Sequence, residues 1–169
     1  YAVENPGYRK IRLIYEELGV KWTWTAMAEN GIHMGSLRSS QATVVHTSPE
    51  HHYPLGTVMS ARRRQELLKW LEESEEHYII EDDYDCEFRY NGHSIPALFG
   101  LDTSGRVIYM NTFSKTLSPG IRISYMVLPP KLLERYVNSA NFFSNTSSNL
   151  EQHTLARFLR DGYFDRHLN

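Results

Sequence analysis

Asn111-Thr112-Phe113-Ser114-Lys115-Thr116-Leu117-Ser118-Pro119-Gly120-Ile121-Arg122 is the stretch from which the rest of the chain is read. The apolar run Val107-Ile108-Tyr109-Met110 leads into it and has the length of a buried strand. Hydroxyls, one lysine, a Pro-Gly turn and an arginine follow. Such an order makes a cationic, donor-rich pocket suited to a phosphate and a carbonyl together. Lys115 can close a Schiff base there while Thr112, Ser114 and Arg122 hold an anion. Taken alone, Lys115 is an ordinary solvated lysine and Arg122 an ordinary surface ion-pair partner. What singles them out is the company they keep.

Two earlier stretches supply that company. Tyr78-Ile79-Ile80 reads as a strand that breaks abruptly into Glu81-Asp82-Asp83-Tyr84-Asp85. Before it, the apolar run Ala42 to Val45 ends in Thr47-Ser48-Pro49 and a polar loop, Pro49 to Gly56. Short apolar strands alternating with helices predict an α/β fold, a three-layer α/β/α arrangement around a mostly parallel sheet. Ligands in such sheets sit beyond the carboxyl ends of the strands. Parallel strands would bring all three polar clusters to one edge.

Elsewhere the pattern is simpler. Tyr1 to Val3 reads as a strand end, and Asn5-Pro6-Gly7 as a turn that starts a helix carrying Ile11, Ile14, Tyr15 and Leu18. Gly19 is its C-cap. Val20, Trp22 and Trp24 alternate as a short strand does, and Met27 to Leu37 reads as a turn plus a weak helix. Ser60 caps a helix from Ala61 to Glu76, with Leu67, Leu68 and Leu71 inward and Arg62-Arg63-Arg64 facing water. Ser124 to Leu128 is a further strand. The last third is helical: Leu132, Leu133, Tyr136 and Val137 pack one helix. Leu150, His153, Leu155, Phe158 and Leu159 belong to another that runs on toward the C-terminus.

Composition narrows the function classes. The 169 residues suffice for one domain with a genuine core. A net charge of −2 and the lack of a basic stripe argue against this stretch holding nucleic acid itself. No apolar run has the length of a membrane span. The one cysteine, Cys86, excludes an intrachain disulfide, fits a cytoplasmic setting and reads as a buried, inert thiol. The chain opens at Tyr1 inside an apolar run and stops at Asn169 inside an amphipathic pattern, as expected of a piece of something longer.

A lysine that forms a Schiff base with a ring-bearing cofactor such as pyridoxal 5'-phosphate needs a carboxylate near the ring nitrogen. Asp82, directly after Ile79-Ile80-Glu81, suits that role, although Glu81, Asp83 and Asp85 are equally acidic. Tyr84 can bond the ring oxygen or simply pack on the sheet edge. His51 and His52 lack partners at metal-ligand spacing, so His51 or Tyr53 is read as a loop wall over a flat ring. Glycine-rich phosphate loops and a Gly-x-Ser-x-Gly elbow are missing.

Three motifs carry a resemblance: Ile79 to Tyr90, Ile95-Pro96-Ala97-Leu98-Phe99-Gly100, and Thr112 to Arg122. With Val3-Glu4-Asn5-Pro6-Gly7-Tyr8, Pro54-Leu55-Gly56 and Asp161 to Leu168, they are similar to MocR-type regulators of the GntR family. Those proteins fuse an N-terminal winged helix-turn-helix to a domain like class I aminotransferases of fold type I. The resemblance implies pyridoxal 5'-phosphate as cofactor. Lys115 would be the aldimine lysine and Asp82 the pyridinium partner. Tyr84 would lie on the 3-hydroxyl, with Thr112, Ser114 and Arg122 at the phosphate and His51 in the ring-side loop. That loop usually reads Pro-Ser-His-Gln; here it is Pro49-Glu50-His51-His52. Asn111 stands where a glycine is usual.

On this reading residues 1–169 are part of a large domain. The winged helix, the segment that caps the phosphate and stacks on the ring, and the small domain with its carboxylate-binding arginine lie outside them. Weak cofactor retention by residues 1–169 alone is expected, with an amine or amino-acid effector, DNA contact only through the winged helix, and a homodimer. An aminotransferase working through the same lysine is the competing function, and a dimerisation scaffold with an unused site is a third.

Overall fold

A computed structural model describes residues 1–87, 95–140 and 142–168. Seven strands form one sheet: β1 (Ala2–Asn5), β2 (Thr23–Ala28), β3 (Gly31–Ile32), β4 (Val44–Thr47), β5 (Tyr78–Asp82), β6 (Val107–Thr112) and β7 (Ser124–Val127). Their spatial order is β3-β2-β1-β4-β5-β6-β7. The five central strands run parallel, while β3 and β7 are antiparallel edges. Helices α1 (Arg9–Glu17), α2 (Met34–Ser39), α3 (Ala61–Glu72) and α4 (Leu98–Leu101) follow the earlier strands. The later ones are α5 (Phe113–Thr116), α6 (Pro130–Ala140), α7 (Asn149–Arg160) and α8 (Tyr163–Leu168). The result is a three-layer α/β/α domain with a mixed, mostly parallel sheet. Phe88, Arg89 and Tyr90 of the acidic motif lie outside the described residues.

Register explains which side chains meet. Val45, Ile79 and Val107 are paired across β4, β5 and β6, so they point to one face; His46, Ile80 and Ile108 pair one residue later and point to the other. The first face carries the main core, where Ala2, Val45, Ile79 and Val107 pack against Leu67, Trp70, Leu71 and Leu98. Each fully buried leucine there contributes about 1.5–3 kcal/mol.

Helix α3 begins as its sequence implies, with Ser60 Oγ accepting from the Arg63 amide at 3.2 Å. It stops at Glu72, four residues short of the expected end. The His77 ring closes it, 2.7 Å from the Trp70 carbonyl oxygen and stacked on the Trp70 ring at 4.0 Å. The arginine run does not face water as a unit. Arg62 does, but Arg64 is fully buried. Helical spacing puts residue 64 on the same face as Leu67 and Leu71, and carbonyls and carboxylates meet its guanidinium.

Two other expectations differ. Within 27–37 the turn and the helix are present, α2 starting at Met34, but residues 27–32 form a hairpin, β2 running to Ala28 and returning through β3. Gly31 adopts φ 114°, and a Cβ there would stand 2.7 Å from Met59. The C-terminal helix is also two helices, because Gly162 (φ 71°) breaks the chain between α7 and α8. This end is thinly buried. Its core cluster has only Phe113, Ile123 and Leu155 buried, α6 buries no residue, and all four residues of β7 are exposed.

Candidate functional site

The carboxyl ends of β1, β4, β5 and β6 lie along one edge of the sheet and open into a cavity of about 370 Å3. Val3 and Glu4 come to it from β1, His46 and Ser48 from the end of β4, and Asp82 and Tyr84 from the end of β5. Lys115 reaches it from α5, just past β6. Tyr8 and Ile11 form the wall on the side of α1, and Tyr53 belongs to the 49–56 loop. The amine, the acid and the phenol singled out in the sequence therefore line one cavity.

Strand alternation sorts the acidic run. Glu81 points to the core face, is fully buried, and accepts from the amides of Leu98 and Phe99 at 2.7 and 2.8 Å, which caps α4. Burial raises its pKa despite these bonds and the nearby Arg64 guanidinium. Asp82 points the other way, into the cavity. Asp83 is buried again, its amide bonded to the Met110 carbonyl at 2.9 Å. Burial, with Glu81 and Glu50 nearby, pushes its carboxyl up to about 8. Asp85 Oδ2 holds the His51 ring at 2.7 Å.

A buried polar layer stands behind Asp82. His46 Nε2 lies 3.6 Å from Asp82 Oδ2, and His46 Nδ1 is 2.7 Å from the Tyr15 hydroxyl. Glu4, on the neighbouring strand, accepts from the Thr47 hydroxyl and from the Ser48 amide, with His52 Nε2 3.4 Å away. Burial pushes the Glu4 carboxyl up to about 8 and lowers the pKa of His52. The sequence places Tyr15 on a helix, Thr47 and Ser48 at a strand end, and Glu4 and His52 in motifs, but marks none of them as part of such a layer. His46, inside an apolar strand, has no motif around it; its one signal is the period-two phase that puts it on the same face as Asp82.

The 49–56 loop is fixed from below. Arg64 donates to the Pro49, Met59 and Pro96 carbonyls and to Glu50 Oε1 at 3.0 Å. Glu50, at the position where similar loops carry serine, is thereby the nearest carboxylate to a buried cation. Above it, the Tyr84 hydroxyl donates to the His51 carbonyl at 2.8 Å, and the two rings stack at 6.2 Å. His51 thus sits at the rim, beside Tyr84. Tyr8 and Tyr53 meet edge to face at 5.8 Å across the mouth. An aromatic wall is therefore present in residues 1–169, although the resemblance put the ring-stacking segment outside them. Gly7 makes this possible, because a Cβ there would lie 2.2 Å from the Glu4 carbonyl oxygen.

The anion-holding set is placed differently. Thr112 caps α5, accepting from the Ser114 amide and donating to the Ile123 carbonyl, both at 3.2 Å. Ser114 is half-buried in the same turn. Arg122 is exposed, in the left-handed region at φ 50°, and makes no hydrogen bond or ion pair with the described residues. None of the three lines the cavity. Cys86 is half-buried rather than buried. Its sulfur lies 3.4 Å from the Tyr109 hydroxyl, and burial pushes the thiol up to about 12, which leaves it unreactive. Among the described residues, no group of three metal-ligating side chains occurs, and no helix is long and apolar enough to cross a membrane.

Comparison with known proteins agrees with this geometry. The chain is 42% identical over 166 residues to the HTH-type transcriptional regulator YhdI of Bacillus subtilis, covering 98% of this chain and 35% of that protein. It is 36% identical to the probable rhizopine catabolism regulatory protein MocR of Rhizobium meliloti, covering 98% and 34%. The chain thus spans about a third of the length of these relatives. Among solved structures, it matches the kynurenine aminotransferase of Pyrococcus horikoshii with a TM-score of 0.87 and 28% identity, over 99% of this chain and 43% of that one. Residues 14–167 match the aminotransferase class I and II family. By sequence, and in keeping with its fold, the chain belongs to the aminotransferase class I and II family.

Proposed function

We propose that this chain is the pyridoxal 5'-phosphate-binding, effector-sensing domain of a GntR/MocR-type transcriptional regulator. The observation that carries the reading is that Lys115, Asp82 and Tyr84 line one cavity at the carboxyl ends of parallel strands. The residues lining the cavity fit the ring of the cofactor. An amine, a carboxylate and a phenol face a space whose other walls are Tyr8, Tyr53 and Ile11, and its volume lies in the range of small-molecule sites. Bound there, the cofactor supplies an electron-withdrawing ring.

Each residue has a defined task. Lys115 would hold the cofactor, and Asp82 would pair with its ring nitrogen. Tyr84 bonds the ring oxygen, and His51 supports that loop. Thr112 and Ser114 offer the start of α5 to the phosphate, and Arg122, which has no other partner among the described residues, is available to it. An amine or amino-acid effector shifts the conformational equilibrium, and so controls a winged-helix DNA-binding portion of the longer, homodimeric protein. The regulators are 42% and 36% identical to this chain and the aminotransferase 28%, which supports this reading over the other. The second reading, an aminotransferase, has the structural match to an enzyme solved with pyridoxamine phosphate in its favour.

Borohydride reduction of the full-length protein with pyridoxal 5'-phosphate, followed by peptide mapping, tests the site. The label is expected on the peptide carrying Lys115 and nowhere in Lys115→Ala; a label on another lysine refutes the assignment. Repeated turnover with an amino donor and a keto acid would replace the sensor by the enzyme.

A further inference from the structure

Asp82 does not meet the cavity as an isolated carboxylate. His46, 7% exposed, stands behind it with Nε2 3.6 Å from Oδ2, just beyond hydrogen-bond length, and that nitrogen has no other partner among the described residues. The opposite ring nitrogen, Nδ1, meets the Tyr15 hydroxyl at 2.7 Å. Burial, with Tyr1 and Asp82 nearby, raises the Tyr15 phenol above its usual range, so the hydroxyl keeps the proton it needs to donate.

A phenol that donates to Nδ1 requires the imidazole proton to be on Nε2, the nitrogen facing Asp82. The opposite tautomer would set a lone pair against the carboxylate and leave Nε2 buried with no donor near it. Three elements build the arrangement: α1 supplies Tyr15, β4 supplies His46 and β5 supplies Asp82. The register of β4 on β5 pairs His46 with Ile80, so Asp82, two residues on, lies on the same face.

We infer that Tyr15 and His46 are positioning residues for Asp82: Tyr15 fixes the His46 proton on Nε2, and His46 holds Asp82 Oδ2, which leaves Oδ1 for a protonated ring nitrogen. The inference rests on the pyridoxal 5'-phosphate reading of the cavity. It assigns to two residues outside the cofactor motifs the orientation and ionisation of Asp82, the acid paired with the ring nitrogen in that reading. Such partners typically change affinity by about one order of magnitude.

The test uses the full-length protein loaded with pyridoxal 5'-phosphate labelled with 15N in the ring, reading the ring-nitrogen shift by NMR and the cofactor dissociation constant. Tyr15→Phe and His46→Leu are each expected to move the nitrogen signal toward the unprotonated position and weaken binding about tenfold. His46→Gln, whose amide can still donate toward Asp82, should bring both back to within about twofold of the parent. Tyr15→Phe removes one oxygen and carries the test by itself if His46→Leu does not fold. A nitrogen signal unmoved in Tyr15→Phe overturns the inference. Asp82→Asn separates the two layers of argument. If it moves the signal and Tyr15→Phe does not, the cofactor reading stands and the positioning role is lost. If Asp82→Asn moves nothing, the cofactor reading is lost and the inference with it.

Discussion

Glu81 and Asp82 are consecutive carboxylates at the end of one strand, and they serve opposite regions of the molecule. Glu81 faces a sealed interior: two helix amides, a buried guanidinium and no solvent. Asp82 faces a cavity, with one histidine behind it. On the core side Glu81 and Arg64 are taken up in holding the loop and α4 in place. The cavity side keeps groups unspent, including an exposed Lys115 and aromatic rings at the mouth. Stability is concentrated beneath the sheet edge so that the edge itself can carry chemistry, as expected where function sets local residues against the rules of folding.

The largest effect should come from the sealed side. Arg64→Met keeps much of the arginine stem but leaves Glu81 and Glu50 without their buried cation. Removing one partner of a buried ion pair costs about 3–5 kcal/mol, so urea unfolding should show a loss of that size. Asp82→Asn, one strand position from Glu81, should change stability by less than about 0.5 kcal/mol. A near-neutral Arg64→Met would mean that the core face tolerates substitution as the cavity face does, and the contrast would fail.

The buried Glu4 tests whether the layer behind the cavity behaves like the core. Its carboxyl is raised from 4.5 to about 8, so the folded state keeps a proton that the unfolded chain has released. Its contribution is therefore present in full below pH 4.5 and is lost as pH rises toward 8. Glu4→Gln should flatten that decline by up to about 1.4 kcal/mol per pH unit, the value of one proton. Asp83, raised from 3.8 to about 8, keeps a slope of the same sign in the variant. Unfolding free energies measured across this window should converge at the acid end and separate at the alkaline end. Parallel curves would show that Glu4 is already ionised in the folded protein.

Much of this division was legible in the sequence, but not all. Three strands ending in polar clusters are enough to predict the mostly parallel sheet and the meeting of Lys115, Asp82 and Tyr84 at one of its edges. Choosing Asp82 from its acidic neighbours needed the register, because alternation only says that 81 and 82 point apart, not which side is sealed. Arg64 was misread because charge outweighed periodicity: its spacing from Leu67 and Leu71 already put it on the buried face. His46 and Glu4 hide inside strands, where polar residues normally point to water. The strand pairing at 27–32 is not legible because β3 has only two residues, too few for a period to register.

The smallest expected effect lies at the start of α1, and it separates the two regions most finely. Helix α3 on the core side has a serine cap, whereas α1 starts at Tyr8 with no side-chain cap. A serine at such a position is worth about 0.5–2 kcal/mol, so α1 gives up local stability for an aromatic ring at the cavity. Tyr8→Ser restores a capping oxygen and removes the edge-to-face contact with Tyr53, itself worth about 0.5–1.5 kcal/mol. The two terms nearly cancel, so unfolding should change by less than about 0.5 kcal/mol. Pyridoxal 5'-phosphate binding, followed by the cofactor's own absorbance in the full-length protein, should weaken severalfold, because the wall beside the ring has gone. A loss of stability above about 1 kcal/mol with unchanged binding would reassign Tyr8 to packing, since only a ring that belongs to the core would be missed by the fold and not by the ligand.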